Sequence, residues 1–275
     1  MEDDELIHLF EQGLIPSEEE AEETFRERAK FCRGIKKRLQ ETLKEKAPPF
    51  LDGDDLFQQA FKHFGINPLW TPVICSNEKL MPWQGASSWI FELEEGDPVS
   101  ALIQLRGRHL AILGSREEAV THEAVHIARM TFEEPKYEEV IACTTSQRRF
   151  RRFMGPIFRK SAESLTFAAL LILIVVFDVL LLFSGSIAWY DRFMWLKLIP
   201  LSYFLFLFVR LYFVQNRFEK VKKSVPLPLI LLLTDLEIDH FATLGGDQIR
   251  MYLKEGAHLS LRRRLMALLG ERYGY

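Results

Sequence analysis

The stretch from Leu165 to Phe183, LTFAALLILIVVFDVLLLF, constrains this chain more than any other, being apolar except for Thr166 and Asp178. At 1.5 Å per residue, about 19 residues nearly cross a ~30 Å hydrocarbon core. A second apolar stretch, Phe193 to Val214, follows and carries Lys197, Pro200 and Arg210. Between them SGSIAWYDR reads as a turn, with Trp189 and Tyr190 suited to the headgroup layer. Two such lengths in tandem are rare in soluble cores, so an antiparallel pair of transmembrane helices is expected.

Lysine and arginine set the expected orientation. Arg148, Arg149, Arg151, Arg152, Arg159 and Lys160 precede the first stretch, and Arg217, Lys220, Lys222 and Lys223 follow the second. The positive-inside rule then places both termini in the cytoplasm, with a bacterial inner membrane as the expected location. The same basic blocks suit anionic lipid headgroups. Asp178 and Lys197 fall at similar depth near the turn, where they can pair as a clasp, and Arg210 can snorkel at the other end. A transporter or channel role has less to stand on, because two helices give too little wall for a pore unless the protein oligomerises.

The remaining bulk properties mostly exclude. A net charge of -3 gives nucleic-acid binding no global support. Cys32, Cys75 and Cys143 form no CxxC pair, so neither a disulfide framework nor a thiolate zinc cluster is expected. The N-terminus, MEDDELIHLF, lacks the basic region and apolar core of a secretory signal.

Outside the hairpin the texture is helical, then strand-like, then helical. Residues 1–47 read as helix, with Ser17 and Glu20 as a capping box that opens a long charged helix after Pro16. A short helix over 54–64 stops at Gly65. SSWIFELEEGDPVSALIQL then reads as strand, turn and strand, turning at Glu95 to Pro98. Ser115 caps the next helix, with Glu117 and Glu118 in its first turn. Beyond the hairpin, Thr234 and Glu237 form another capping box. Gly245 and Gly246 break that helix, Asp247 caps the next, and a basic amphipathic helix runs from about Leu259 to Leu269.

The helix after Ser115 carries AVTHEAVHIA. His122 and His126 are four apart, so both imidazoles leave one helix face and can hold two positions on zinc. Glu123 lies beside them, where a carboxylate can take the proton of a metal-activated water. The uncharged flanks Val120, Ala124, Val125, Ile127 and Ala128 suit a helix buried beside a site. A third ligand is needed, with a fourth position open. Pro135 can start a new helix that brings Glu138 and Glu139 back toward the first, and Glu133 and Glu134 lie just before it. His109 and Tyr137 are possible oxyanion stabilisers, and Cys143 reads as core. Two histidines among glutamates also occur on ordinary solvated helices.

An HExxH helix followed by a helical glutamate resembles the gluzincin metallopeptidases, and EEVIA looks like the Glu-x-x-Ala signature around their third ligand. The resemblance covers about 25 residues. It implies that His122, His126 and Glu139 bind Zn2+, that Glu123 is the general base and that the substrate is a peptide or protein. His126 and Glu139 are closer in sequence than in the larger gluzincins, so Glu138, Glu134 and Glu133 stay open as the third ligand. Zincin folds place a sheet before this helix, and Trp89 to Leu93 or Leu102 to Leu105 would be the edge that pairs with an extended peptide.

The expected fold class is therefore α+β, a small zincin-like cytoplasmic domain with a two-helix transmembrane hairpin and a C-terminal helical segment. The expected divisions are a charged helical segment 1–47, the metal-binding domain 48–147, a basic linker 148–160, the hairpin 161–215 and the helical segment 216–275. The expected function is a membrane-anchored zinc metallopeptidase. The alternatives are a non-catalytic membrane scaffold and a metal-binding sensor whose helices bind a partner protein. Nothing in the sequence fixes the oligomeric state.

Overall fold

The charged N-terminus folds as two helices, α1 (Asp3–Glu11) and α2 (Glu22–Leu43), rather than one. Gly13, at φ 72°, ends the first by turning the chain toward Pro16. The Ser17 N–H does bond the Glu20 carboxylate at 3.0 Å, but Glu20 also holds Arg28 at 2.8 and 2.7 Å. The expected capping box is thus a loop clasp, and α2 starts only at Glu22. This computed structural model describes residues 1–275 apart from 45–47, 52, 54, 82, 83, 108–114, 133 and 186.

Helix α3 (Gln58–Phe64) closes on Gly65, whose φ of 71° is a left-handed cap. Strands β1 (Val73–Cys75), β2 (Ala86–Phe91) and β3 (Ser100–Leu105) make a sheet in the order β1-β3-β2. β3 is parallel to β1 and antiparallel to β2, with Ala86 opposite Leu105 and Phe91 opposite Ser100. The expected turn is present, the Asp97 N–H bonding the Glu94 carbonyl at 3.1 Å. Leu102 to Leu105, however, belongs to the central strand and cannot be an edge; of the two expected candidates only β2 lies at an edge.

Helix α4 (Arg116–Ala128) begins where Ser115 Oγ accepts the Glu118 N–H at 3.1 Å. Pro135 starts α5 (Pro135–Cys143) from the first turn, where its missing N–H costs nothing. The basic segment after it is folded, as α6 (Arg149–Met154) and a 3-10 turn, Gly155–Ile157. It packs so tightly on α5 that a Cβ at Gly155 would meet Cys143 Sγ at 2.7 Å.

Two helices, α7 (Ser161–Ser184) and α9 (Leu198–Ser224), are long and apolar enough to cross a membrane. Their contacts pair in antiparallel order: Arg210 with Glu163 at 2.8 Å, Phe167 with Phe204 at 5.8 Å between ring centroids, Lys197 with Asp178 at 2.9 Å. The connection is not an open turn. It forms α8 (Ile187–Phe193) and a 3-10 turn, Met194–Lys197, which satisfy backbone groups within the segment itself.

The C-terminal part of α9 leaves the hairpin and enters the protein core through Val214, Phe218 and Val221. α10 (Leu227–Ile230), α11 (Asp235–Phe241), α12 (Gly246–Gly256) and α13 (Leu261–Arg272) complete the chain. The Thr234–Glu237 capping box is formed. Asp247 lies inside the first turn of α12, and the cap is Gly245, whose N–H bonds the Gln248 side chain at 2.9 Å. One hydrophobic core joins Leu6, Phe25, Ile103, Val125, Phe218, Leu231 and Leu265, so N-terminal, sheet and C-terminal segments share it. Two fully buried arginines grip the turn after α10. Arg129 Nη1 donates to the Leu231 and Leu233 carbonyls at 2.9 and 2.8 Å, and Arg262 Nη1 donates to Leu232 at 2.6 Å. The last turn of the HExxH helix is thereby tied to the C-terminal segment.

Candidate metal centre

The four-residue spacing on α4 sends the rings of His122 and His126 out side by side, 4.9 Å apart at their centroids. Their Nε2 atoms are 3.3 Å apart. The hairpin to α5 lays Glu139 across both, with Oε1 3.4 Å from His122 Nε2 and Oε2 3.4 Å from His126 Nε2. A tetrahedral cation with bonds of about 2.0–2.1 Å sets its ligands about 3.3–3.4 Å from one another. Each imidazole thus stands at that distance from the other and from one oxygen of the Glu139 carboxylate, and two imidazoles with one carboxylate are a donor set that zinc accepts.

The outer nitrogens are also held. His126 Nδ1 lies 2.6 Å from Glu138 Oε1; a carboxylate accepts, so Nδ1 carries a proton, and loss of the second proton from Nε2 would leave that lone pair for a metal. His122 Nδ1 lies 3.9 Å from Cys143 Sγ, which is also 3.7 Å from Glu139 Oε1. His122, Glu139 and Cys143 form a group of potential metal donors. Burial pushes the His126 pKa down, but hydrogen bonds and charge from Glu138 and Glu139 outweigh it and raise it well above its ordinary value. Burial likewise pushes Glu139 up, and the two histidines outweigh it, lowering its pKa to about 2. The centre therefore favours a positive charge between these side chains.

The remaining candidates sit elsewhere. Glu134 accepts the Asp235 N–H at 2.7 Å and faces the C-terminal segment. Tyr137 is fully buried and donates to Asp239 at 2.6 Å, so it does not reach the centre as an oxyanion stabiliser would. Glu133 and His109 lie outside the described residues. Cys143, expected as plain core, is buried yet touches both His122 and Glu139.

A cleft of about 400 Å³ opens over the centre, and Glu123, itself buried, lines it together with His122, His126 and Glu139. One wall is the start of β2, from Gln84 to Ser88; the other is Phe158, Arg159, Lys160, Ser161 and Ser164. Sequence reading missed that second wall, because the basic block beside a span is sufficiently explained by lipid headgroups. Arg151 also lines the cleft and pairs with buried Glu118 at 3.4 Å. The arrangement offers a candidate cation site, a carboxylate beside it and a strand edge that no described strand pairs, the parts a metal-assisted hydrolysis would need.

No protein-family model matches the chain, and no curated protein or solved structure matches it significantly.

Proposed function

We propose that this chain is a membrane-anchored zinc metallopeptidase of gluzincin type, with its centre on the cytoplasmic side. The observation that carries the reading is the convergence of His122 Nε2, His126 Nε2 and the Glu139 carboxylate at 3.3–3.4 Å. Zinc bound by these three side chains would supply Lewis acidity, polarising a carbonyl and acidifying a water. Glu123 takes the water's proton and delivers it to the leaving amine. Glu138 holds the His126 tautomer through Nδ1. The β2 edge orients the peptide. Membrane anchoring is supported by α7, whose apolar window contains no fully buried residue, unlike the core helix of a soluble protein. The cytoplasmic side is supported by the basic residues flanking both ends of the hairpin.

The test is metal content of the detergent-purified protein beside His122→Ala, Glu139→Ala and Glu123→Gln. The reading requires one zinc per chain, lost in the first two variants. It also requires zinc kept but hydrolysis lost in Glu123→Gln. A protein that takes up no zinc would end it.

One observation favours a second reading, a non-catalytic metal sensor: Cys143 Sγ stands near His122 Nδ1 and Glu139, a softer donor set. Cys143→Ser separates the two. A peptidase keeps its zinc in this variant; a sensor using the thiolate loses it.

A further inference from the structure

We infer that the polypeptide taken by this centre is itself membrane-anchored and is cut within a few residues of its own transmembrane helix. The inference rests on the peptidase reading above and narrows its substrate. Its basis is the wall that faces β2 across the cleft. That wall is Phe158, Arg159 and Lys160, which lead into α7, with Ser161 and Ser164 from its first turn. Leu165, the next residue, is already an exposed apolar side chain at 48%, and Leu171, Ile172 and Leu173 continue the exposed apolar surface above it. With α7 in a bilayer, the cleft lies at the level of the headgroups. Arg159 and Lys160, on the same wall, stand where lipid phosphates lie and hold it at that depth.

The opposite wall is built to receive backbone. The Arg106 N–H bonds the Gly85 carbonyl at 2.9 Å, which makes these two residues a bonded pair of the antiparallel ladder. Alternation along that ladder turns the N–H and C=O groups of Ala86, Ser88 and Ile90 to the outer edge. Among the described residues no strand pairs with that edge. Gly85, Ala86, Ser87 and Ser88 carry the smallest side chains of the strand, so another backbone can come close.

An extended segment added to β2 therefore runs between the strand and the foot of α7, parallel to a surface where lipid headgroups begin. A chain emerging from a membrane span passes this slot within a few residues at ~3.3 Å each. A soluble chain must first be laid onto the bilayer. Confinement of enzyme and substrate to one membrane also raises their effective concentration, which soluble segments forgo.

The test uses the full-length, zinc-loaded protein in vesicles of phosphatidylethanolamine and phosphatidylglycerol. Three libraries share one randomised segment: fused directly to an oligoleucine span, separated from that span by a long glycine–serine linker, or free of any span. Cleavage is mapped by mass spectrometry, with Glu123→Gln as the blank. The directly fused library should be cut roughly tenfold or more faster than either of the others, at bonds close to the span. Equal rates for the free and fused segments, or for linker-fused and directly fused segments, would overturn the substrate inference and leave the peptidase reading intact. Failure to cut any library would overturn the peptidase reading, and this inference with it.

Discussion

His126 Nδ1 and Glu138 Oε1 lie 2.6 Å apart, on the side of the ring opposite the His122 nitrogen. The bond fixes which nitrogen is free for a metal, and makes Glu138 a positioning residue. Glu138→Gln should weaken zinc binding about 10–100-fold, because carboxylate partners of metal-ligating histidines act on that scale. A chelator competition titration measures it. The variant should hydrolyse peptide near the native rate once saturated with zinc, which loss of a ligand would not allow.

Glu123 lines the same cleft but, in the proposed chemistry, moves a proton and holds no metal. Glu123→Gln keeps the shape and removes the base. Its zinc content should stay native while kcat falls by about 10²–10⁴, the usual contribution of a general base. Zinc analysis and single-turnover cleavage on one preparation give both numbers.

Arg129 is fully buried and carries the carbonyls of Leu231 and Leu233 on one Nη. Arg129→Ala leaves both acceptors unsatisfied and opens a cavity, which should cost roughly 3–5 kcal/mol. Arg129→Lys should recover only part of that, since an ammonium lacks the planar fork of the guanidinium. Denaturant unfolding in detergent reads both.

Glu237 gives the fold an acid-sensitive element. Burial pushes its carboxyl up, but the Arg262 hydrogen bond and charge outweigh this and lower its pKa from the ordinary 4.5. A carboxyl whose folded pKa is depressed stabilises the fold above its unfolded value. That stability is lost as pH falls through 4.5 toward the folded pKa. Glu237→Gln should flatten this part of the stability profile. It should also lower stability at neutral pH, because it leaves buried Arg262 without its full partner. Unfolding midpoints across the acid range test both.

Asp178 and Lys197 meet at 2.9 Å inside the hairpin. Removing either alone takes this ion pair from the remaining charge among apolar side chains, whereas removing both leaves neither charge there. Asp178→Leu or Lys197→Leu singly should therefore destabilise the detergent-solubilised protein more than the double replacement does. Thermal unfolding of the three variants supplies the comparison.

The features legible in the sequence are those set by local chemistry. The apolar lengths of α7 and α9, the Ser115 cap, the Pro135 start and the Thr234–Glu237 box each depend on residues a few positions apart. The i, i+4 geometry of His122 and His126 belongs with them. The choice between Glu138 and Glu139 does not. Adjacent residues on a helix point about 100° apart, and only the packing of α5 on α4 decides which one meets the Nε2 atoms. The edge strand was equally hidden, because β3 pairs with β1 across intervening β2, an order that no local pattern encodes. The grip of Arg129 on Leu231 spans 102 positions and had no signal at all.

Helix α9 shows apolar side chains outward at one end and sends Val214, Phe218 and Val221 into the core at the other, where it packs on α5. The long apolar helix is thus also a beam of the folded body. Cutting the chain there to free a soluble half would tear out part of its interior. Nor is bilayer thickness neutral for such a beam: a mismatch that tilts or lifts α9 loads α5, and Glu139 rides on α5. On the membrane-anchored reading proposed above, lipid and the candidate zinc ligand would be joined through one mechanical member.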